Sequence, residues 1–445
     1  MNSHNTFFVD NHGACTARTV RHTAAFKSAA VAVLLLCTAA SAYSPLGLRY
    51  PLGLPDHAVT GAAAAMGGSG AAVADENWGL SLNPANAAIG SRSMFAALVA
   101  FNSVTIKEGS NTSTVSGYAP KLLSLIIPIG KAGNLGFAMQ QRYDANLNFY
   151  TTEVLQDNLA GYKSATIEHS RSGGLTAWQA GWAFRFKNGL SLGLAYERLY
   201  FNRDYRDHFE SIFRYEDDEG RQAQYRASAI ETVTSNFVSD GIRFGVQVPV
   251  HEKVTLAAAA EYIMPGSDNG NLTREYIRRE GASAAIIEPL RTGKFSVDLP
   301  PAINIGAAYA ASEHWLFAAD AHCTLWEVYE NSFEAMEPER VYGMSAGARF
   351  IPTANKLSAA YWEIISYSAG FRYTSLPGTT AGSHEYAATL GVGLPIANDG
   401  GTVDIAIDIG QRTDARYSGY SENFVKFQLG INGGRNWFQQ DASRR

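Results

Sequence analysis

The chain has almost no cysteine, little charge and no long apolar run. Its 445 residues hold three cysteines, and Cys15 and Cys37 fall in an N-terminal stretch that reads as a leader. A mature chain therefore keeps Cys323 alone, and a disulfide framework is excluded. Charged residues are 17% of the sequence, with 41 Asp and Glu against 36 Lys and Arg. That acidic balance provides no electrostatic footprint for nucleic acid. After Ala42 no stretch reaches the ~18 uninterrupted apolar residues of a membrane-spanning helix. His and Glu are scattered, as at His251-Glu252, without metal-ligand spacing, so neither a metal nor another cofactor is expected.

Glycine and aromatics, by contrast, are plentiful: 42 Gly, 22 Tyr and 22 Phe. With so little charge, this composition fits a barrel facing lipid better than an average soluble enzyme. Residues 18–42 run from Arg18, Arg21 and Lys27 through an apolar stretch, Ala29 to Ala39, to Ala40-Ser41-Ala42. That order is a secretory signal peptide, cut after Ala42; the apolar stretch falls short of the ~20 residues an anchor needs. Leu36 before Cys37 is too large for a lipoprotein cleavage site. Removing residues 1–42 leaves 33 basic and 40 acidic residues, a net charge of −7.

From Met94 onward apolar residues recur with period two. In LSLGLAYERLYF, Leu190, Leu192, Leu194 and Tyr196 alternate with Ser191, Gly193, Ala195 and Glu197. TVDIAIDIGQRT sets Val403, Ile405, Ile407 and Ile409 against Asp404, Ala406, Asp408 and Gly410. Alternation alone leaves the solvent on each face undecided. Spacing says more: fourteen such segments lie near 94–105, 120–130, 134–150, 174–187, 189–204, 237–249, 253–264, 295–311, 314–327, 340–350, 358–374, 384–396, 402–413 and 422–433.

Connections after even segments are tight, as at 131–133, Asn188, Ser312, PTANK near 354 and NDGG at 398–401. Those after odd segments are long: 106–119, 151–173, 205–236, 265–294, 328–339, 375–383 and 414–421. Short turns on one rim and long loops on the other, with an even strand number, predict an all-β, 14-stranded antiparallel transmembrane barrel in a bacterial outer membrane, crossed many times and bathed by its lipid. With the Ile and Leu face outward, Arg185, Arg243, Glu261, Asp320, His322, Arg349, Arg372, Asp404, Asp408, Arg412, Lys426 and Gln428 point into the lumen. Trp178, Tyr196, Tyr262, Trp315, Tyr367 and Tyr373 suit interfacial girdles. The expected divisions are an extension and signal at 1–42, a luminal segment at 43–93, the barrel at 94–434 and a tail at 435–445.

Three stretches resemble the FadL-type outer-membrane transporters of long-chain fatty acids and other hydrophobic compounds. SGAAVADENWGLSLNPANAA is similar to the family's hatch, which precedes the first strand. VDLPPAINIGAAYAASEHWLFAADAHCTLWEVY resembles a strand pair of the family, and FVKFQLGINGGRNWF a closing strand ending in an aromatic that the barrel-assembly machinery reads. The resemblance implies a hatch closing the lumen, with Asn83, Pro84 and Ala85 as its final turn. The small residues of GAAAAMGGSGAAVA, 61–74, suit close packing against the wall. The third strand carries no Gly or Pro after Gly136 to mark the inward kink and lateral gap of the fatty-acid members.

Passive uptake of fatty acids or another hydrophobic small molecule or lipid is the function this implies. Phe209, Ile212, Phe213 and Tyr215 on one long loop would face Tyr276, Ile277, Ile286 and Ile287 on another as a capture site. The same clusters would also serve the alternative, a non-transporting barrel that shuttles a secreted protein, like the PorV-like subunits of type IX secretion. Catalysis is not expected. GMSAG, Gly343 to Gly347, matches a nucleophile-elbow pattern but lies in a period-two strand, without the strand-turn-helix that chemistry needs. An Asp320–His322 contact is expected as a structural hydrogen bond, and 203–222 as a solvated loop of mixed charge.

Overall fold

The protein is described by a computed structural model covering residues 50–435 except 58, 76–78, 110, 157–161, 217–221, 267–268, 281–284, 289, 332–338, 354–358, 378–381, 397–400 and 415–419. The signal peptide with Cys15 and Cys37, most of the NDGG and PTANK turns and all but Arg435 of the C-terminal tail lie outside the described residues.

Alternating β-branched and aromatic residues, which fit a pleated surface, build fourteen barrel strands: β1 Ser93–Glu108, β2 Asn111–Pro128, β3 Asn134–Asp144, β4 Tyr162–Arg185, β5 Ser191–Glu216, β6 Gln222–His251, β7 Val254–Ile263, β8 Ala302–Ala310, β9 Trp315–Thr324, β10 Val341–Phe350, β11 Ser366–Ser375, β12 His384–Ile396, β13 Gly401–Thr413 and β14 Tyr420–Arg435. Each pairs antiparallel with its chain neighbours, and β1 meets β14 from Ser93↔Arg435 to Glu108↔Tyr420. The sheet is closed, so no full-length edge remains for aggregation.

The period-two reading gives the correct faces. On β5, Ala195, Glu197 and Leu199 are buried inside, while Leu194, Tyr196 and Tyr200 stand exposed outside. Trp178, Tyr262, Trp315 and Tyr367 are also exposed on the outer face, and Tyr373 is half-buried there. Of the luminal set, Arg185 sits exposed at the short-turn mouth; the remainder are buried or half-buried.

Strand ends differ more. The described residues of 151–173 and 205–236 are strand rather than loop: Leu147–Gln156 pairs with β4, and β4, β5 and β6 reach 24, 26 and 30 residues. Gly270–Glu280 pairs with the upper part of β6 and with Arg291–Phe295, so these pieces form one sheet standing above the barrel. The expected loop at 106–119 is likewise a hairpin, β1 and β2 turning at Gly109. Alternation fades at the tip of the β1–β2 hairpin, where residues on both faces of TSTVS, 112–116, are exposed, and such a run looks like loop. Conversely, β8 starts at Ala302 and β11 at Ser366, so the 351–365 connection on the short-turn rim is not tight.

The third strand also departs from expectation. It breaks at Ala145 and Asn146, where Asp144 Oδ1 accepts from Asn146 N at 3.0 Å and Asn146 Oδ1 accepts from Gly173 N at 3.0 Å. The glycines that permit the kink are on the neighbouring strand. Gly173 and Gly174 have φ of 114° and 141°, and a Cβ on Gly174 would stand 2.2 Å from Tyr143 O.

Candidate functional site

The described residues of 50–92 line the inside of the barrel and include a short helix, α1 Gly61–Ala65, and a 3-10 turn, Pro84–Ala88. Asn83 is the residue before that turn, held extended at φ −149° as a pre-proline residue prefers. Its Oδ1 accepts from Ala85 N at 2.9 Å, and its Nδ2 donates to Ala71 O and to Val246 O on β6, both at 3.1 Å. The wall is hollowed to receive it. Gly193 and Gly245 are cross-strand partners, and a Cβ on them would stand 2.3 Å from Pro84 C and on top of Asn83 Oδ1.

The opposite wall repeats the device. Gly347 and Gly370 are partners under Met66 and Gly67, and Gly391 lies under Ala65. Polar wall groups then tie down the backbone of this plug. Asp320 Oδ2 accepts from Gly70 N and Ala71 N at 2.9 and 3.0 Å, Gln247 donates to Ala71 O at 2.9 Å, and Thr389 donates to Ala65 O at 3.1 Å. Arg349 pairs with Asp75 at 2.8 Å, and Arg243 donates to Ser81 O at 3.2 Å and Leu82 O at 3.3 Å. Buried groups without such bonds would be costly, so the plug is held by many partners at once.

Around it the luminal charges form two clusters. On one side Arg142 bridges Glu197 at 2.8 Å and Glu261 at 3.4 Å, with Arg243 also 3.5 Å from Glu197. On the other, Arg372 pairs with Asp408 at 2.7 Å and Glu385 at 3.1 Å, and Arg412 with Glu385 at 2.6 Å. Asp404 bonds Asn432 at 2.5 Å, and Gln428 bonds Asp408 at 3.0 Å. Two plug residues join the second cluster. Asp56 lies 2.5 Å from Lys121 on β2 and 3.7 Å from Lys426 on β14. Burial works against its charge, but the two lysines outweigh it and hold the carboxyl down at about 2. His57 lies 3.8 Å from Glu385, and burial, followed by the cation of Arg372, pushes its imidazole down to about 3 despite that carboxylate.

Lys121 marks a seam. Hydrogen-bonded pairing between β2 and β3 stops at Leu122↔Gln140, while β2 runs on to Asn111 beside β1. Lys121, the first residue past that stop, is bulged out of the ladder with β1, and Pro120 beyond it has no N–H. Above the stop, Leu54 and Pro55 of the plug pair with Asp144 and Tyr143 on the bare edge of β3. Lys121 closes the interval with side-chain bonds, 2.9 Å to Asp144 and 2.9 Å to Gln141. Lys121, Asp56, His57, Arg142, Glu197 and Glu385 are absent from the sequence-derived luminal set. Glu197 and Glu385 were readable from strand parity, and a mid-strand Pro120 was the available signal for the seam.

The expected capture residues do not face one another across a gap. Phe209, Ile212, Phe213 and Tyr215 lie within β5, opposite Ala229, Arg226, Tyr225 and Ala223 of β6, and β6 separates them from 276–287 in the same sheet. Ile277 pairs with Ile287 and Arg278 with Ile286; Ile286 and Ile287 are exposed, while Tyr276 and Ile277 are half-buried. The apolar material inside the long-hairpin end is packed by the chain itself. Trp326, fully buried, sits among Leu52, Leu175, Phe201, Phe237 and Phe295, with Phe201 and Phe237 stacked at 4.7 Å. A cavity of about 190 Å³ left in the lumen has mixed walls: Asp320, His322, Thr374 and Arg372 of the barrel and His57 of the plug stand among apolar residues such as Val59, Leu82 and Ala259. Asp320 is bonded to the plug rather than to His322, whose ring lies over Gly343. Ser345 lies inside β10, and His251 accepts from Lys253 N in a turn.

Comparison with known proteins places this geometry. The BamG family matches residues 24–442. A FadL homologue from Pseudomonas aeruginosa superposes with a TM-score of 0.57 at 12% identity, covering 85% of this chain and 99% of its own. The monoaromatic hydrocarbon channel CymD gives 0.56 at 13%, with 86% and 98% covered. The toluene transporter TodX of Pseudomonas putida gives 0.53 at 13%, with 84% and 97% covered. At these identities the likeness is one of fold. No curated protein matches the chain in sequence.

Proposed function

Because the chain belongs to the BamG family, we propose that it is a plugged outer-membrane barrel acting as a protein-binding subunit in the assembly of other barrels, the association that the family name points to. The filled lumen supports this reading most. A conduit for greasy molecules needs a continuous apolar path, yet here the apolar interior is occupied by Trp326 and its neighbours, and the remaining cavity, about 190 Å³, is interrupted by the charged groups Asp56, Arg142, Glu261 and Arg372. The long-hairpin rim then faces outside the cell and the short-turn rim faces the periplasm. Ile286 and Ile287, exposed on the standing sheet, and Leu290, exposed just before its strand Arg291–Phe295, serve as protein contacts. No chemical step is assigned to Ser345 or His322.

Depletion of the chain tests this. The folded, heat-modifiable fraction of an unrelated reporter barrel should fall while uptake of toluene and of oleate stays unchanged. Loss of uptake with normal reporter folding would overturn it in favour of the second reading, passive uptake of a hydrophobic compound such as a fatty acid. One observation favours that second reading: the β2–β3 seam, where side chains and a plug residue replace backbone pairing.

A further inference from the structure

We propose that the luminal cavity binds a small zwitterion, its ammonium at Asp320 and its carboxylate at Arg372 and Thr374. The strand register sets out the wall. Asp320, Ser345 and Arg372 are Cα partners in one row across β9, β10 and β11. His322, Gly343 and Thr374 form the next row, with Asn304 of β8 beside His322. Neighbouring strands stand ~4.8 Å apart, so Asp320 and Arg372 lie roughly 10 Å apart at Cα, with only Ser345 between them.

The groups at the two ends have hydrogen-bonding capacity that the protein does not use. Asp320 is 7% exposed; its Oδ2 takes two backbone N–H groups, and its Oδ1, turned over Gly306, has no partner. Among the described residues no cation pairs with Asp320, whereas the other charges on this wall are paired: Arg372 with Asp408 and Glu385, Arg142 with Glu197, Asp56 with Lys121. At the far end Arg372 Nη2 and Thr374 Oγ1, on residues 3% and 2% exposed, are also without partners. A lone buried carboxylate calls for a cation, and a spare guanidinium N–H beside a hydroxyl calls for an acceptor. A simple amine would leave the Arg372 end unsatisfied, and a simple carboxylate would be repelled by Asp320 and Glu261. A zwitterion satisfies both ends within a cavity of about 190 Å³.

Titration calorimetry on the full chain in detergent tests this, with glycine, 4-aminobutyrate and 6-aminohexanoate as probes and butylamine and butyrate as controls. At least one amino acid should bind tenfold or more tightly than either control. Asp320→Asn should weaken that binding at least tenfold: Asn keeps an oxygen for the Gly70 and Ala71 N–H groups, so the plug stays seated. Thr374→Val, similar in shape, should weaken it at least threefold and carries the test if Asp320→Asn does not fold. The proposal fails if no amino acid binds the folded parent, if butylamine binds as tightly as the best amino acid, or if folded variants bind as the parent does.

Discussion

At residue scale, the plug is seated by atoms that glycine leaves out. Gly245→Ala would press a methyl onto Asn83 Oδ1, and overpacking of a tight site costs about 1–3 kcal/mol. The expected outcome is a normally folded barrel whose residues 50–92 become sensitive to an added protease, while Gly293→Ala, with open space around it, leaves them protected. Asn-Pro-Ala was legible in the sequence as a fixed turn. Its receiving glycines were not, because Gly193 and Gly245 looked like ordinary small members of alternating strands. His57 was equally invisible, since nothing local to it predicts a seat against Glu385 with Arg372, His322 and Lys426 nearby. Its docked imidazole is held at about 3, while a released segment titrates near the ordinary 6.5. Between those values the released form takes up a proton that the docked form does not, so docking weakens as pH falls below 6.5, by up to about 1.4 kcal/mol per pH unit. Amide exchange across residues 50–60 should therefore be faster at pH 5 than at pH 7.5 after correction for intrinsic rates, and His57→Gln should flatten the difference. The Asp56 carboxyl contributes nothing over that range, because its change falls between its ordinary 3.8 and about 2.

At the scale of strands, the membrane-embedded parts were readable and the rest was not. Period two survives where lipid touches one face and the plug the other, as along β13 with Ile407 outside and Asp408 inside. It fails above the bilayer, which is why the extensions of β4, β5 and β6 read as loops, and it says nothing of a break whose glycines sit on the neighbouring strand. The β2–β3 seam shows what replaces pairing at such a break. Lys121 is 2% exposed and bonded to Asp56, Asp144 and Gln141, so removing its charge leaves Asp144 without that cation and Asp56 with only the longer contact to Lys426. Breaking a buried pair in this way costs about 3–5 kcal/mol. Lys121→Met should accordingly lower the temperature at which the barrel loses its fast-migrating form on a gel, and Asp56→Asn combined with Asp144→Asn should recover part of that loss. If Lys121→Met melts with the parent, the seam is held by something other than this trio.

At the scale of the whole molecule, the lumen has two closures in series, and the sequence showed only one. The small-residue segment before β1 was legible as a plug, whereas the cluster around Trp326 draws on residues from Leu52 to Val341 that no local pattern connects. Deleting Gly61–Ala85 removes α1 and the Asn83-Pro84-Ala85 start of the turn but leaves the barrel's own pairs intact, because Arg372–Asp408, Arg412–Glu385 and Arg142–Glu197 join wall to wall. The deleted form should fold, with Arg349, Arg243 and Asp320 released from their plug partners into water. Its conductance in a planar bilayer should nonetheless rise only modestly, since Trp326, Phe201, Phe237 and Phe295 still close the long-hairpin end with an apolar layer that ions enter at high cost. Trp326→Ala alone should conduct no more than the parent, the plug being in place. The two changes together should open a wet path and raise the current well above the sum of the separate effects. A deletion that already conducts as much as the combined form would show that the Trp326 layer is no barrier, and a combined form that folds yet stays silent would place the closure elsewhere in the chain.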